Sequence, residues 1–70
     1  MRREQTRRLL GVDGATGVAA ENAVRRAVLG VEGVHELEID LGSGWVDVVG
    51  EDGAVERAAE AIRALGYSVR

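Results

Sequence analysis

An α+β sandwich in the order βαββαβ, two helices on one face of a four-stranded antiparallel sheet, is the fold class this sequence predicts. Three observations predict it. Apolar residues recur at helical spacing over 18–29 and 54–65. Apolar and polar residues alternate over 6–12, 34–41, 45–49 and 67–69, as half-buried strands require. Glycine stands at each junction between these stretches, at 14, 17, 30, 33, 42, 44, 50, 53 and 66.

The first strand, 6–12, turns Arg8, Leu10 and Val12 towards a core and Arg7 and Leu9 to the other side. The Gly-rich stretch Asp13-Gly14-Ala15-Thr16-Gly17 follows, with Thr16 or Gly17 as the N-cap region of a helix that Gly30 stops. Ala20, Val24, Ala27, Val28 and Val31 share one side of that helix, opposite Glu21, Asn22, Arg25 and Arg26. After a turn at Glu32-Gly33, Val34, Leu37, Ile39 and Leu41 are set against an acidic row of Glu36, Glu38 and Asp40, which reads as strict alternation. Gly42-Ser43-Gly44 connects a hairpin to the strand 45–49, with Val46 and Val48 inward and Trp45, Asp47 and Val49 outward. Acidic residues before the second helix suit its dipole. That helix buries Val55, Ala58, Ala59, Ile62 and Leu65 and ends at Gly66, and the short strand 67–69 completes the sheet. This is the ferredoxin-like architecture, which hosts many unrelated functions.

Seventy residues make one small domain. A chain of this size buries only about 60% of the surface its unfolded form exposes, so its core is thin. There is no Cys, which excludes disulfides and thiolate chemistry and is compatible with a reducing cytoplasm. With His35 as the single His, a His/Cys metal cluster is excluded as well. A net charge of −3 argues against nucleic acid, whose phosphates need a basic field. The nine cations are all Arg, a compositional bias rather than a functional sign. Four of them lie in the first eight residues, but only two large apolar residues follow before Gly11, too few for a signal peptide or membrane insertion. A soluble, cytoplasmic monomer is expected.

From Leu10 to Val69 the chain resembles the heavy-metal-associated domain of copper chaperones, mercuric-ion binding proteins and the amino-terminal modules of metal-pumping ATPases. The resemblance is carried by Ala23-Val24-Arg25-Arg26-Ala27-Val28 with Gly30-Val31-Glu32-Gly33-Val34, by Leu37-Glu38-Ile39-Asp40-Leu41, and by Ala61-Ile62-Arg63-Ala64-Leu65-Gly66-Tyr67. Counting back from Val24, the family's Gly-Met-x-Cys-x-x-Cys falls on Gly14-Ala15-Thr16-Gly17-Val18-Ala19-Ala20. The two ligand positions are therefore Gly17 and Ala20, neither of which has a side-chain donor for a soft ion such as Cu(I). The resemblance implies that Tyr67 lies close to this loop. It also implies a metal-transporting ATPase or another protein as partner.

The loop Asp13, Gly14, Ala15, Thr16, Gly17, together with Ala20 and Tyr67, is the candidate site. It reads either as an inherited turn filled by small residues or as an anion cradle of backbone N–H groups and the Thr16 hydroxyl. Asp13 and Glu21 make a poor cation site, and a capping role suits Glu21 better. His35 and the acidic row read as surface, and the row also discourages edge pairing. Leu9, Trp45 and Val49 are a candidate partner surface. Trp45 either anchors a partner or lies flat on Leu9 and the stem of Arg7.

Two functions follow. The first is a cysteine-less member of the metal-transport group, without cofactor or catalytic residues, acting as a structural or protein-interaction module. The alternative is a regulatory small-molecule or anion module using the Gly14–Gly17 loop. An RNA-recognition module of this topology would need aromatics on both central strands, where this chain has Arg7, Leu9 and Asp47 beside Trp45. An enzyme would need a nucleophile, base and orienter that the sequence lacks.

Overall fold

The computed structural model describes residues 5–70, so Arg2 and Arg3 of the basic N-terminus lie outside the described residues. The elements run β1 (Thr6–Asp13), α1 (Gly17–Leu29), β2 (Val34–Asp40), β3 (Trp45–Gly50), α2 (Ala54–Ala64) and β4 (Ser68–Val69). The sheet order is β2-β3-β1-β4, every neighbour antiparallel. β3 thus lies between β1 and β2, the split crossover that a right-handed β-α-β connection produces. The fold is the ferredoxin-like α+β sandwich expected.

Both helices pack on one face of the sheet. Ala20, Val24 and Val28 of α1 and Val55, Ala58, Ala59 and Ile62 of α2 meet Leu10 and Val12 of β1 and Val46 and Val48 of β3. Spacing of three and four residues puts each helical set on one stripe, and spacing of two puts each strand pair on one face. Most of these side chains are Val or Ala, so the elements approach closely. Leu37, Ile39, Leu41, Tyr67 and Val69 close the periphery.

Several local expectations are corrected. Leu65, expected in the core, is 41% exposed, because α2 ends at Ala64 and Leu65 caps it beyond the reach of the sheet. The alternation of β2 is broken by a register shift between Val34 and Glu36, with His35 as the extra residue. That shift lets Val34 and Leu37, three apart, both pack against the core, which unbroken alternation forbids. β2 stops at Asp40 and β4 begins at Ser68, leaving Leu41 and Tyr67 outside the strands. Glu21 does not cap α1; it pairs with Arg25 one turn on, at 2.8 Å. Asp52, before α2, accepts a hydrogen bond from the Thr6 hydroxyl at 2.6 Å. Among the described residues no helix is long and apolar enough to cross a membrane.

Candidate functional site

The loop between β1 and α1 stands beside the segment between α2 and β4, since β1 ends where β4 begins: Asp13 pairs with Ser68. Tyr67 is thereby brought to the loop, and a Cβ built on Gly14 would lie 4.0 Å from its Cδ1. Tyr67 packs on the edge of the core, and Ala15 is buried beneath the loop at 3% exposure. The candidate residues Gly14, Ala15 and Tyr67 are therefore neighbours. Ala20, one helical turn into α1, faces the core.

The loop backbone is unusual at two points. Gly14 has φ +92 and Gly17 has φ +89, the left-handed region that side chains disfavour. A Cβ built on Gly17 meets nothing within 4 Å. Space at that position is thus ample, and only backbone conformation resists a side chain. Thr16 is the N-cap in extended conformation, yet its hydroxyl makes no capping hydrogen bond. The charged neighbours are engaged elsewhere: Asp13 pairs with Arg70 Nε at 3.0 Å and Glu21 with Arg25. Among the described residues no three His, Asp or Glu side chains gather as metal ligands.

The opposite sheet face, which no helix covers, holds the second candidate surface. Register places Arg7 opposite Val49, Leu9 opposite Asp47 and Gly11 opposite Trp45, so the outward residues of β1 and β3 form two adjacent rows. Leu9 is 62% exposed, whereas Trp45 and Val49 are half-buried. Trp45 and Val49 stand four residues apart, about 13 Å along the strand, with Asp47 between them. Trp45 therefore does not lie on the stem of Arg7. Its cross-strand neighbours are Gly11 and Asp40, and the Arg70 guanidinium crosses above Gly11, where a built Cβ would come within 3.2 Å of Nε.

Asp47, expected to face solvent, is the one buried charged residue among those described, its side chain 9% exposed. Arg7 folds over it: Nε donates to Oδ1 at 3.2 Å and Oδ2 at 3.0 Å, and Nη2 donates to Oδ2 at 2.5 Å. Hydrogen bonds to Asp47 and then its charge raise the Arg7 pKa, desolvation opposes them, and Glu38 and Glu36 raise it by less. Sequence reasoning placed both residues on this face but did not join them. The signal was available, in one carboxylate set in the apolar run Trp45-Val46-Asp47-Val48-Val49, one strand away from an arginine. Around the pair is a shallow depression lined by Arg7, Glu36, Leu37, Glu38, Asp47 and Val49.

Comparison with known proteins places this geometry. A family description, "Heavy-metal-associated domain", matches residues 9–68. Among solved structures, the copper binding domain from HMA7, a P-type ATPase, is 30% identical over 91% of this chain and 89% of its own, with a TM-score of 0.82. The CopZ metallochaperone is 28% identical, with 93% and 100% covered and a TM-score of 0.84. Oxidized MerP from Ralstonia metallidurans CH34 is 25% identical, with 96% of each chain covered and a TM-score of 0.84. No curated protein sequence matches the chain.

Proposed function

This chain belongs to the heavy-metal-associated domain family, and from that premise we propose that it is a non-catalytic member that holds no soft metal ion and works as a structural or protein-interaction module. One observation carries the reading. The two positions that the family fills with thiolates are Gly17 and Ala20, and a soft ion needs sulfur or nitrogen donors that neither residue has. The left-handed backbone of Gly17 supports it further, because a ligand-bearing side chain there would sit in a disfavoured conformation. What the fold keeps is the packed frame of Ala15, Tyr67 and the two helices, built from apolar contacts.

The relatives that the chain resembles include a metallochaperone and a domain of a P-type ATPase. A metal-transporting ATPase or another protein of metal traffic is accordingly the class of partner we propose. A cytoplasmic monomer is the state we propose for it. The other reading, an anion held by the N–H groups of the Gly14–Gly17 loop, meets an electrostatic objection: the nearby cations Arg25 and Arg70 are paired with Glu21 and Asp13. Competition for Cu(I) against a chromophoric chelator tests the proposal, and the chain should leave the chelator's copper untouched.

A further inference from the structure

We propose that the open sheet face docks a basic, partly apolar segment of a partner protein, with an arginine or lysine of that segment held between Glu36 and Glu38. The inference rests on the interaction-module reading and names the chemistry of the partner. Its foundation is how charge is distributed over the fold. Acidic side chains on the helices are matched by cations: Glu21 by Arg25, Glu56 by Arg8 and Glu60 by Arg63. Within the strands, Asp13 is matched by Arg70, Asp47 by Arg7, and Asp40 accepts the Ser43 N–H. Only Glu36 and Glu38, among the described acidic residues of helices and strands, make no side-chain ion pair or hydrogen bond, and the cation whose charge they feel, Arg7, is already bound to Asp47.

These two carboxylates line one side of the depression over β3. Arg7, on its other side, is the one cation of the lining, and its Nε–Nη2 edge is bound by Asp47. With Arg7 set against Asp47, the two remaining carboxylates leave the depression net negative. Its floor includes Val49, and Leu9 stands 62% exposed on the neighbouring strand. A cationic head between Glu36 and Glu38 would place the aliphatic stem of the same residue along Val49, and a following apolar residue would reach Leu9. Net negative surface charge also steers an oppositely charged partner and sets which partner fits.

A labelled peptide of alternating Arg and Leu, and the same peptide with Glu for Arg, serve as probes. The Arg peptide should bind saturably and shift the backbone amide resonances of Leu9, Glu36, Glu38 and Val49, while the Glu peptide should not bind. The double variant E36Q/E38Q should weaken binding about tenfold, on the scale of two partly exposed ion pairs. E21Q/E60Q, with the same change in net charge on the helices, should weaken it by less than about twofold, the scale of long-range screened charge. Leu9→Ser, which removes an exposed apolar residue without touching charge, should also weaken it. Equal loss in the two charge variants, resonance shifts confined to the helices, or no saturable binding of the Arg peptide would each overturn the proposal. Copper uptake by the unaltered chain would overturn the non-metal reading instead, through a measurement independent of the peptide.

Discussion

Replacing Gly17 by alanine should weaken the fold even though nothing surrounds the new methyl group. A Cβ at this position has no heavy atom within 4 Å, so neither a clash nor a packing gain enters, and the effect is confined to the backbone. Gly17 is held at φ +89, where an L residue costs roughly 1–2 kcal/mol. Alanine also narrows the unfolded ensemble, which offsets about 0.4–1 kcal/mol where the native conformation suits it and less than the strain where it does not. A net loss of about 1 kcal/mol is expected, corresponding to a fall in Tm of about 4–8 °C for a domain of this size. Urea unfolding followed through the fluorescence of Trp45, the single Trp, reads it directly. Gly42→Ala is the internal comparison, because Gly42 is not left-handed and its built Cβ makes only ordinary contact, 3.5 Å from Asp40 Oδ1. That variant should be neutral or slightly more stable. If Gly17→Ala matches Gly42→Ala, Gly17 is not left-handed and the loop reading fails.

Ile62→Ala, which empties the largest fully buried side chain, should cost about 2–5 kcal/mol and leave so small a domain largely unfolded on heating to 37 °C. On the proposed non-metal reading a chelator should leave Tm unchanged, because no bound ion would add to the stability of the folded state; a drop in Tm on adding chelator would refute this. Trp45→Ala should cost about 1–3 kcal/mol, since the half-buried indole lies beside Gly11 and Asp40 and its loss removes cross-strand contact. Unchanged stability together with lost partner binding would instead make Trp45 an anchor.

The helices and strands were legible because their periodicities are strong: Ala20, Val24 and Val28 recur at four, and Val46 and Val48 at two, in segments bounded by glycine. The end of α2 was not. Leu65 continues the apolar stripe, and only the position of the sheet beneath the helix decides that the stripe outruns the core. The register shift at His35 was hidden because Val34 and Leu37 were both read as inward while standing three apart, a contradiction that only an extra residue resolves. At the candidate site, the closeness of Tyr67 to the loop was inferable from the family resemblance. The conformation of Gly17 was not, since glycine is compatible with either sign of φ. The joining of Arg7 to Asp47 was legible only in part: the fold class sets β1 beside β3, but the register that brings Arg7 within reach of Asp47 is not determined by strand patterns.

Cu(I) competition with a chromophoric chelator tests most directly the claim that this domain has the frame of a metal site without its ligands. Two proteins are compared, the unaltered chain and the triple variant Ala15→Met, Gly17→Cys, Ala20→Cys. Thiols near the start of α1 would have lowered pKa values and supply the thiolates that a soft ion prefers. The strain at Gly17 should make the apo variant less stable than the parent, with copper binding restoring part of that loss. The account predicts that the unaltered chain removes no copper and that the folded variant removes about one equivalent. Copper removed by the unaltered chain would contradict the claim that ligands are lacking, and a folded variant that removes none would contradict the assignment of Gly17 and Ala20 to the ligand positions.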